Sequence, residues 1–164
     1  MYVNLRITYA IALALCLFLT ACVGYSPNNR LIGSTRDQIV DFLGPPASER
    51  TALEEVIMIY SRGPMGKHTY FVYLNKEGTM TRWDQVLLEK NFEKIVPGMH
   101  REEVVSTIGE SKINVVLARE RGYVWHYRYV TPHCRWFQVE FDLENKVRST
   151  FYGRPPECRA PRSN

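Results

Sequence analysis

The chain has 164 residues, of which 45% are hydrophobic, and this composition is sufficient for the packed core of one domain or of two small ones. The 21 lysines and arginines outnumber the 17 acidic residues only slightly, so the net charge of +4 is too small to predict a nucleic-acid-binding protein. The same slight positive balance is compatible with an anionic membrane surface.

The N-terminal segment has the three parts of a secretory signal. Arg6 supplies a positive charge, an apolar run follows from Ile7 to Leu19, and the segment ends in Leu19-Thr20-Ala21-Cys22. The apolar run is shorter than the roughly 20 residues that a transmembrane helix needs. The final four residues resemble the lipobox of bacterial lipoproteins, in which the cysteine thiol is diacylated and the chain is cut before it.

We therefore expect residues 1–21 to be a lipoprotein signal peptide and Cys22 to become the lipid-bearing N-terminus. The alternative is an ordinary signal peptide that is cut nearby, with Cys22 an incidental thiol. Val23 follows the cysteine where an aspartate would often retain a lipoprotein in the inner membrane, so we expect an outer-membrane anchor with the protein facing the periplasm. Residues 22–30 are short and polar and are predicted as a flexible tether with a reach of about 25–30 Å.

A first structural unit is predicted over residues 31–84. Thr35 and Gln38 have the spacing of a capping box, which predicts a helix that begins after Thr35. Gly44, followed by two prolines, ends this helix. The apolar residues that share one face of the helix are Ile39, Phe42 and Leu43.

The same pattern recurs in residues 85–153, which predicts a tandem repeat. Residues 32–45 align with 97–110, with glycines at both ends and apolar residues at three positions between them. Residues 70–80 then align with 137–147 in the same order. Two blocks in the same order indicate that one unit is used twice.

Strands are predicted from alternation of apolar and polar residues. An aromatic strand runs from Tyr123 to Tyr129, and a hairpin runs from Trp136 to Tyr152. Pairing Phe141 with Val147 leaves Leu143-Glu144-Asn145 as a three-residue loop at the end of the hairpin. The last residue of such a loop favours the left-handed conformation. The residues at this position are Asn145 in the second unit and Gly78 in the first.

These patterns predict an α+β fold of two tandem units, each formed by a helix plus a three-stranded antiparallel sheet. The second unit is expected to carry an extra N-terminal helix from Val86 to Ile95, whose apolar residues have helical spacing. Residues 154–164 are predicted as a C-terminal tail.

Two cysteines remain once Cys16 leaves with the signal peptide and Cys22 is lipidated. Cys134 and Cys158 are expected to form a disulfide, because a pair of thiols in an oxidising compartment is most simply oxidised. The alternative is a metal site that recruits a neighbouring histidine, but His133-Cys134 does not have the spacing of a zinc site.

Enzyme motifs are mostly missing from the sequence, and we predict a non-enzymatic protein without a metal or cofactor. The motifs that it lacks include the serine-hydrolase elbow, the zinc-protease helix, the P-loop and the dinucleotide fingerprint. Its four histidines are scattered, and its adjacent glutamates are typical of solvated turns. The alternative is an enzyme whose catalytic histidine meets a serine or cysteine only in the folded protein.

Two groups of side chains are candidates for binding. Phe71 and Tyr73 lie on the strand face opposite the one predicted to meet the helix, so they either form an interface with a partner or pack the two units together. His126, Arg128 and Arg135 form a mild basic cluster, which is either a site for anionic lipid headgroups or a solvated face.

Residues 92–109 carry a resemblance to a known family. An apolar helix end, then Gly98-Met99, Val104 and Gly109, followed by an aromatic strand and a hairpin, resemble the signature of the BamE (SmpA/OmlA) outer-membrane lipoproteins. The resemblance implies an accessory subunit of the machinery that assembles β-barrel proteins and helps to maintain envelope integrity. It therefore implies outer-membrane assembly proteins as partners.

The sequence departs from that family in three ways: the unit is doubled, Ser111 or no residue matches the second proline of the signature, and a disulfide is added. A doubled unit of this kind also resembles the fold of β-lactamase inhibitor protein, in which two units form a concave protein-binding surface. The alternative function is therefore an inhibitor-like or ligand-binding lipoprotein that acts outside the assembly machinery.

Overall fold

The computed structural model describes residues 24–119 and 121–158. The predicted signal peptide and the predicted lipidation site Cys22 lie outside these residues, as do residues 159–164 of the predicted C-terminal tail. Within the described part of the chain, no helix combines the length and the apolar character needed to cross a membrane.

The first unit is a helix followed by a four-stranded antiparallel sheet, whose strands pair in chain order. Its elements are α1 (Arg36–Leu43), β1 (Ser48–Ala52), β2 (Glu55–Arg62), β3 (His68–Leu74) and β4 (Met80–Gln85). The predicted capping box is present, since the Gln38 amide donates to the Thr35 hydroxyl and the Thr35 amide donates to the Gln38 side chain.

The second unit repeats this order with a second four-stranded sheet. Its elements are a one-turn helix α2 (Glu89–Phe92), α3 (Arg101–Ile108), β5 (Ile113–Leu117), β6 (Gly122–Tyr127), β7 (Trp136–Asp142) and β8 (Val147–Gly153). Three-residue 3-10 turns lie at Asn29–Leu31, Pro64–Gly66 and Pro156–Cys158.

The prediction of helix-plus-three-strand units was wrong, because the fold is mostly β and each sheet has four strands. The strands that the sequence did not reveal are the outer strands β1 and β5. β1 reads Ser-Glu-Arg-Thr-Ala and has no apolar alternation, while adjacent Val115 and Val116 interrupt the alternation in β5. An edge strand packs against few neighbours, so its sequence need not alternate.

The extra helix predicted from Val86 to Ile95 is reduced to the four residues of α2. Val86 is instead bound to the first sheet, because its amide donates to the Thr69 carbonyl at 2.9 Å. Phe92 and Ile95 are both buried in the core of the second unit. The apolar spacing therefore predicted the burial of Leu87, Phe92 and Ile95, but Leu88 is exposed and helical structure extends over only one turn.

Residues 24–30, predicted as part of a flexible tether, pack against the first unit. The Gly24 amide donates to the Phe42 carbonyl at 2.5 Å. The indole of Trp83 donates to the side-chain oxygen of Asn29 at 3.1 Å. The chain is therefore held against the first unit, by α1 at Gly24 and by β4 at Asn29.

The same backbone hydrogen bonds join the start of the helix to the last strand in both units. The Gly33 amide donates to the Met80 carbonyl at 2.9 Å, and the Gly98 amide donates to the Val147 carbonyl at 2.8 Å. These four residues occupy equivalent places in the repeat predicted from the sequence.

The hairpin turns also match. Gly78 and Asn145 have positive φ angles of 73° and 61°, as the three-residue loops predict. Phe141 pairs with Val147 in the predicted register. Asn145 tolerates this backbone conformation better than most residues, because its short side chain can hydrogen-bond locally.

Each helix covers one face of its own sheet, which we call the inner face. The apolar core of the first unit contains Ile39, Leu43, Met58, Tyr60, Tyr70, Val72, Leu74 and Met80. The larger core of the second unit contains Leu87, Phe92, Ile95, Val104, Ile108, Trp125, Tyr127, Tyr129, Phe137, Val139, Phe141 and Val147. Val72 and Val139 both lie beneath their helices, as predicted.

The C-terminal end of α3 also covers the opposite, outer face of the first sheet. A Cβ atom placed on Gly109 would lie 3.1 Å from Thr69 Cγ2 and 3.6 Å from Phe71 Cε1. Beside this contact, Arg50 Nη2 donates to the Ser106 carbonyl at 3.1 Å. The molecule is therefore built in four layers: α1, the first sheet, α3 and the second sheet.

We predict that Gly109→Ala lowers the free energy of unfolding by about 2–4 kcal/mol. Gly109 has φ 80° and ψ 173°, a conformation restricted almost entirely to glycine, and the added methyl group would press on Thr69. Urea denaturation of the purified protein measures the loss.

Thr69→Ser in the Gly109→Ala background removes the crowded Cγ2 and should restore about 1 kcal/mol. The serine keeps the hydroxyl that donates to the Gly66 carbonyl at 3.2 Å. Thr69→Ser alone is the control. No recovery in the double variant would show that the contact between the units does not contribute to the loss.

Candidate interaction surface

The two aromatic residues predicted as an interface lie at the contact between the units. Phe71 is 1% exposed and packs with Ile57, Ile59 and Val86 on the outer face of the first sheet. Since α3 lies against it, Phe71 packs the units together and is not available to an external partner. The sequence left open whether this residue forms an interface with a partner or packs the two units together, and the structure shows the second of these.

Tyr73 lies at the rim of a cleft between the units and is half-buried. The Arg82 guanidinium lies 3.7 Å from the centre of its ring, and Arg82 is also ion-paired with Glu55. Burial raises the pKa of the Tyr73 hydroxyl above its ordinary value, so this side chain is neutral at physiological pH. Tyr73 can therefore offer a neutral ring and hydroxyl to a ligand in the cleft.

The basic cluster predicted from His126, Arg128 and Arg135 does not form a patch of free cations. Arg128 is ion-paired with Glu157, and Arg135 is ion-paired with Glu89 at 2.5 Å. Burial lowers the pKa of His126, so its imidazole is predominantly neutral at pH 7. The positions of these residues therefore favour the solvated-face alternative over a headgroup site.

Glu89 fastens α2 to the loop that precedes β7. Its Oε1 accepts from Tyr129 Oη at 3.0 Å and from Arg135 Nη2 at 2.5 Å, and Arg135 Nε donates to Tyr129 Oη at 2.7 Å. The hydrogen bonds from Arg135 and then from Tyr129 hold the pKa of Glu89 below its usual range. This closed network fixes the loop and leaves little capacity for an outside anion.

Cys134 and Cys158 are joined in a disulfide, with their Cα atoms 6.1 Å apart. The bond fastens the 3-10 turn Pro156–Cys158 to the loop before β7. A β-bulge lies between Glu140 and Phe141. It shifts the pairing of β7 with β8 by one residue between the bulge and Trp136, the end of the hairpin nearer the disulfide. Because both sulfurs are in the disulfide, neither is a thiolate ligand, and the described residues include no group of three metal-binding side chains.

The outer face of the second sheet is the candidate interaction surface. The strand register places on this face Ile113, Val115, Val124, His126, Trp136, Gln138, Glu140 and Phe151. Val115 is 44% exposed and Phe151 is 42% exposed, so apolar side chains lie open to solvent near the two edges. Trp136 and His126 between them are half-buried.

A polar pair occupies the centre of this face. His126 pairs with Gln138 across β6 and β7, and the side chains meet with Nδ1 and Nε2 2.7 Å apart. The ring of Trp136 meets the imidazole edge-on, with the ring centres 4.9 Å apart. A neutral His126 can accept a hydrogen bond from the Gln138 amide at Nδ1, so Nδ1 and one amide hydrogen are paired with each other.

The equivalent place in the first unit is apolar. There Ile59 pairs with Phe71, and the two are 7% and 1% exposed beneath α3. The outer face of the first sheet therefore has an apolar centre and is covered by α3. The outer face of the second sheet has the His126–Gln138 pair at its centre and exposed apolar residues near its edges. A surface that combines exposed apolar residues with a hydrogen-bonded polar centre is suited to a partner that associates reversibly.

Sequence reasoning did not identify this surface, although the signal was present. Aligning 70–80 with 137–147 places Gln138 opposite Phe71, so one repeat has an amide where the other has a phenyl ring. That exchange distinguishes the covered face from the open one. The partner of Gln138, His126, follows only from the strand register.

Comparison with known proteins does not assign the chain to a family. No family model and no curated protein matches the sequence. A crystal structure of an extracellular protein that contains an SCP domain, from Bacillus anthracis str. Ames, is similar at 14% identity and a TM-score of 0.30. The match covers 79% of this chain and 46% of that protein, so the chain spans about half of its length. A TM-score this low carries no argument about fold or function.

We predict that the free energy of unfolding decreases as the pH drops through the range in which the His126 imidazole becomes protonated. Burial lowers the pKa of the folded-state imidazole below the unfolded value of about 6.5. The unfolded state then binds more protons, so the free energy of unfolding is greatest above about pH 6.5 and declines below it. Urea denaturation at about pH 7.5 and about pH 5.5 measures the difference.

His126→Gln should reduce this pH dependence, because the variant has no group that titrates there. His68 contributes separately, since burial and then Lys67 lower its pKa, so some dependence should remain. If the stability of His126→Gln falls as steeply as that of the wild type, the protonation of His126 is not coupled to folding.

The disulfide should contribute about 3 kcal/mol to stability, because it closes a loop with a sequence separation of 24. We expect the double variant Cys134→Ser/Cys158→Ser to lose about this amount in urea denaturation. Wild-type protein treated with reductant is the matched control and should show the same loss. A double variant as stable as the oxidised wild type would contradict this role.

Proposed function

We propose that this protein is a non-enzymatic outer-membrane lipoprotein, anchored through Cys22 and facing the periplasm. In this proposal it acts as an accessory interaction subunit of the machinery that assembles β-barrel proteins and helps to keep the envelope intact. The lipobox-like end of the N-terminal segment and the BamE-like signature of residues 92–109 support the location and the machinery.

The observation that carries the binding role is the outer face of the second sheet. Val115 and Phe151 are exposed there, and His126 and Gln138 are in hydrogen-bond contact with each other between them. An apolar surface with a polar centre supports reversible association with another protein better than it supports chemistry.

The residues of the BamE-like signature support the proposal through the fold. Gly98 and Met99 bind the last strand, since the Gly98 amide donates to the Val147 carbonyl and the Met99 carbonyl accepts from the Val147 amide, both at 2.8 Å. Val104 is fully buried in the core, and Gly109 lies against the first sheet. The residues of the signature therefore stabilise the packing of the helix on the sheets. In this proposal, contacts with a partner are made by other residues.

We expect barrel-assembly proteins to be recovered with a tagged form of this protein from envelopes dissolved in mild detergent. Phe151→Ser should reduce that recovery, because it removes an exposed aromatic residue from the outer face. Leu53→Ser is the matched control, since Leu53 is an exposed apolar residue too but lies in the turn between β1 and β2. Quantitative mass spectrometry of the recovered proteins measures the result.

Recovery of the protein alone would contradict the proposal and favour an inhibitor-like or ligand-binding lipoprotein. The anchor is tested in the same cells: Cys22→Ser should abolish labelling by a fatty-acid probe. A labelled Cys22→Ser protein would exclude Cys22 as the lipid-bearing residue.

A further inference from the structure

The four edge strands of the two sheets differ in how they are protected against pairing with another chain. β1, β4 and β8 each contain charged residues, among them Glu49, Arg82 and Arg148. β5 reads Ile-Asn-Val-Val-Leu and contains none. Charged side chains on edge strands prevent association with further strands, so β5 lacks a protection that the other edges have.

The repeat supplies an internal comparison for β5. The register aligns Arg50 with Val115 and Thr51 with Val116 in the two units. In the first unit, the neighbouring Glu49 is also ion-paired with Arg36 at 2.5 Å. In the second unit, Val115 is 44% exposed and Val116 is 75% exposed. The same place in the repeat is therefore charged in one unit and apolar in the other.

The backbone of this edge is available as well. From Asn114 to Leu117, no backbone group hydrogen-bonds to a described residue other than those of β6. An extended strand leaves alternate amide and carbonyl groups pointing away from its single partner, so these groups can accept a further strand.

A cleft lies beside β5 on the inner side of the sheet. It has a volume of about 280 Å³, and Asn114, Tyr123 and Trp125 line it. The guanidinium of Arg101 lies 4.9 Å from the Trp125 ring and is ion-paired with Glu110, so the cleft has no unbalanced charge. It would accept an uncharged aromatic or apolar side chain.

We infer that β5 is a binding site for an extended segment of another polypeptide, which adds to the second sheet as a fifth strand. The backbone of the segment pairs with Asn114–Leu117. On one side its alternate residues lie beside Ile113 and Val115, and on the other side one residue enters the cleft beside Trp125. The segment is therefore uncharged and carries apolar side chains on both faces.

The test uses the protein as isolated from cells in mild detergent and a synthetic fluorescent peptide. The peptide has about eight residues of alternating valine and threonine with one central phenylalanine, a length typical of a strand. We expect saturable binding by fluorescence anisotropy. The same peptide with an N-methyl group on every residue should not bind, because neither of its two edges can then donate the backbone hydrogen bonds of a ladder.

Val116→Lys should weaken peptide binding by about tenfold, since it places a charge on the edge. Thr51→Lys is the matched control at the equivalent place of the first unit and should bind as the wild type does. Thermal unfolding of both variants shows whether each remains folded.

Equal binding of the two peptides, or of the two variants, would overturn the inference. Pairing of two copies of this chain through β5 would also overturn it, and sedimentation would show this as a dimer that Val116→Lys dissociates. The peptide assay does not depend on the barrel-assembly machinery. A failure of co-purification therefore leaves this inference intact, and a failure of peptide binding leaves the proposed function intact.

Discussion

The contact of Gly109 with Thr69 and Phe71 determines how the two units are arranged. At this position α3 ends against the outer face of the first sheet, and the absence of a side chain on Gly109 lets the backbone approach within contact distance. The same glycine ends the helix in a backbone conformation that other residues rarely adopt. One residue therefore satisfies two constraints, the end of the helix and the packing between units.

Because α3 is shared, the two sheets have different surroundings. The first sheet is covered on both faces, and β2 accordingly has four consecutive buried residues. The second sheet is covered by α3 on its inner face and carries exposed apolar residues on its outer face and along β5. The surfaces available for binding are therefore concentrated on the second unit.

These surfaces support a binding protein more directly than they identify its partner. The outer face combines exposed apolar residues with the His126–Gln138 pair, and the β5 edge offers unpaired backbone beside a neutral cleft. Both features suit recognition of another polypeptide. The disulfide and the Glu89 network hold the loop that borders the outer face, so the surface is supported by fixed neighbours.

Local sequence was sufficient to predict the repeat, both main helices, the hairpin register of Phe141 with Val147 and the positive φ angles of Gly78 and Asn145. Each of these depends on interactions within a few residues or on a regular apolar spacing. Strands β1 and β5 were not predicted, because edge strands have few neighbours to impose a pattern. The burial of Phe71 and the pairing of His126 with Gln138 depend on how α3 and the strands meet in space. Only the tertiary structure determines which face is covered, since both faces of the sheets carry apolar residues in the sequence.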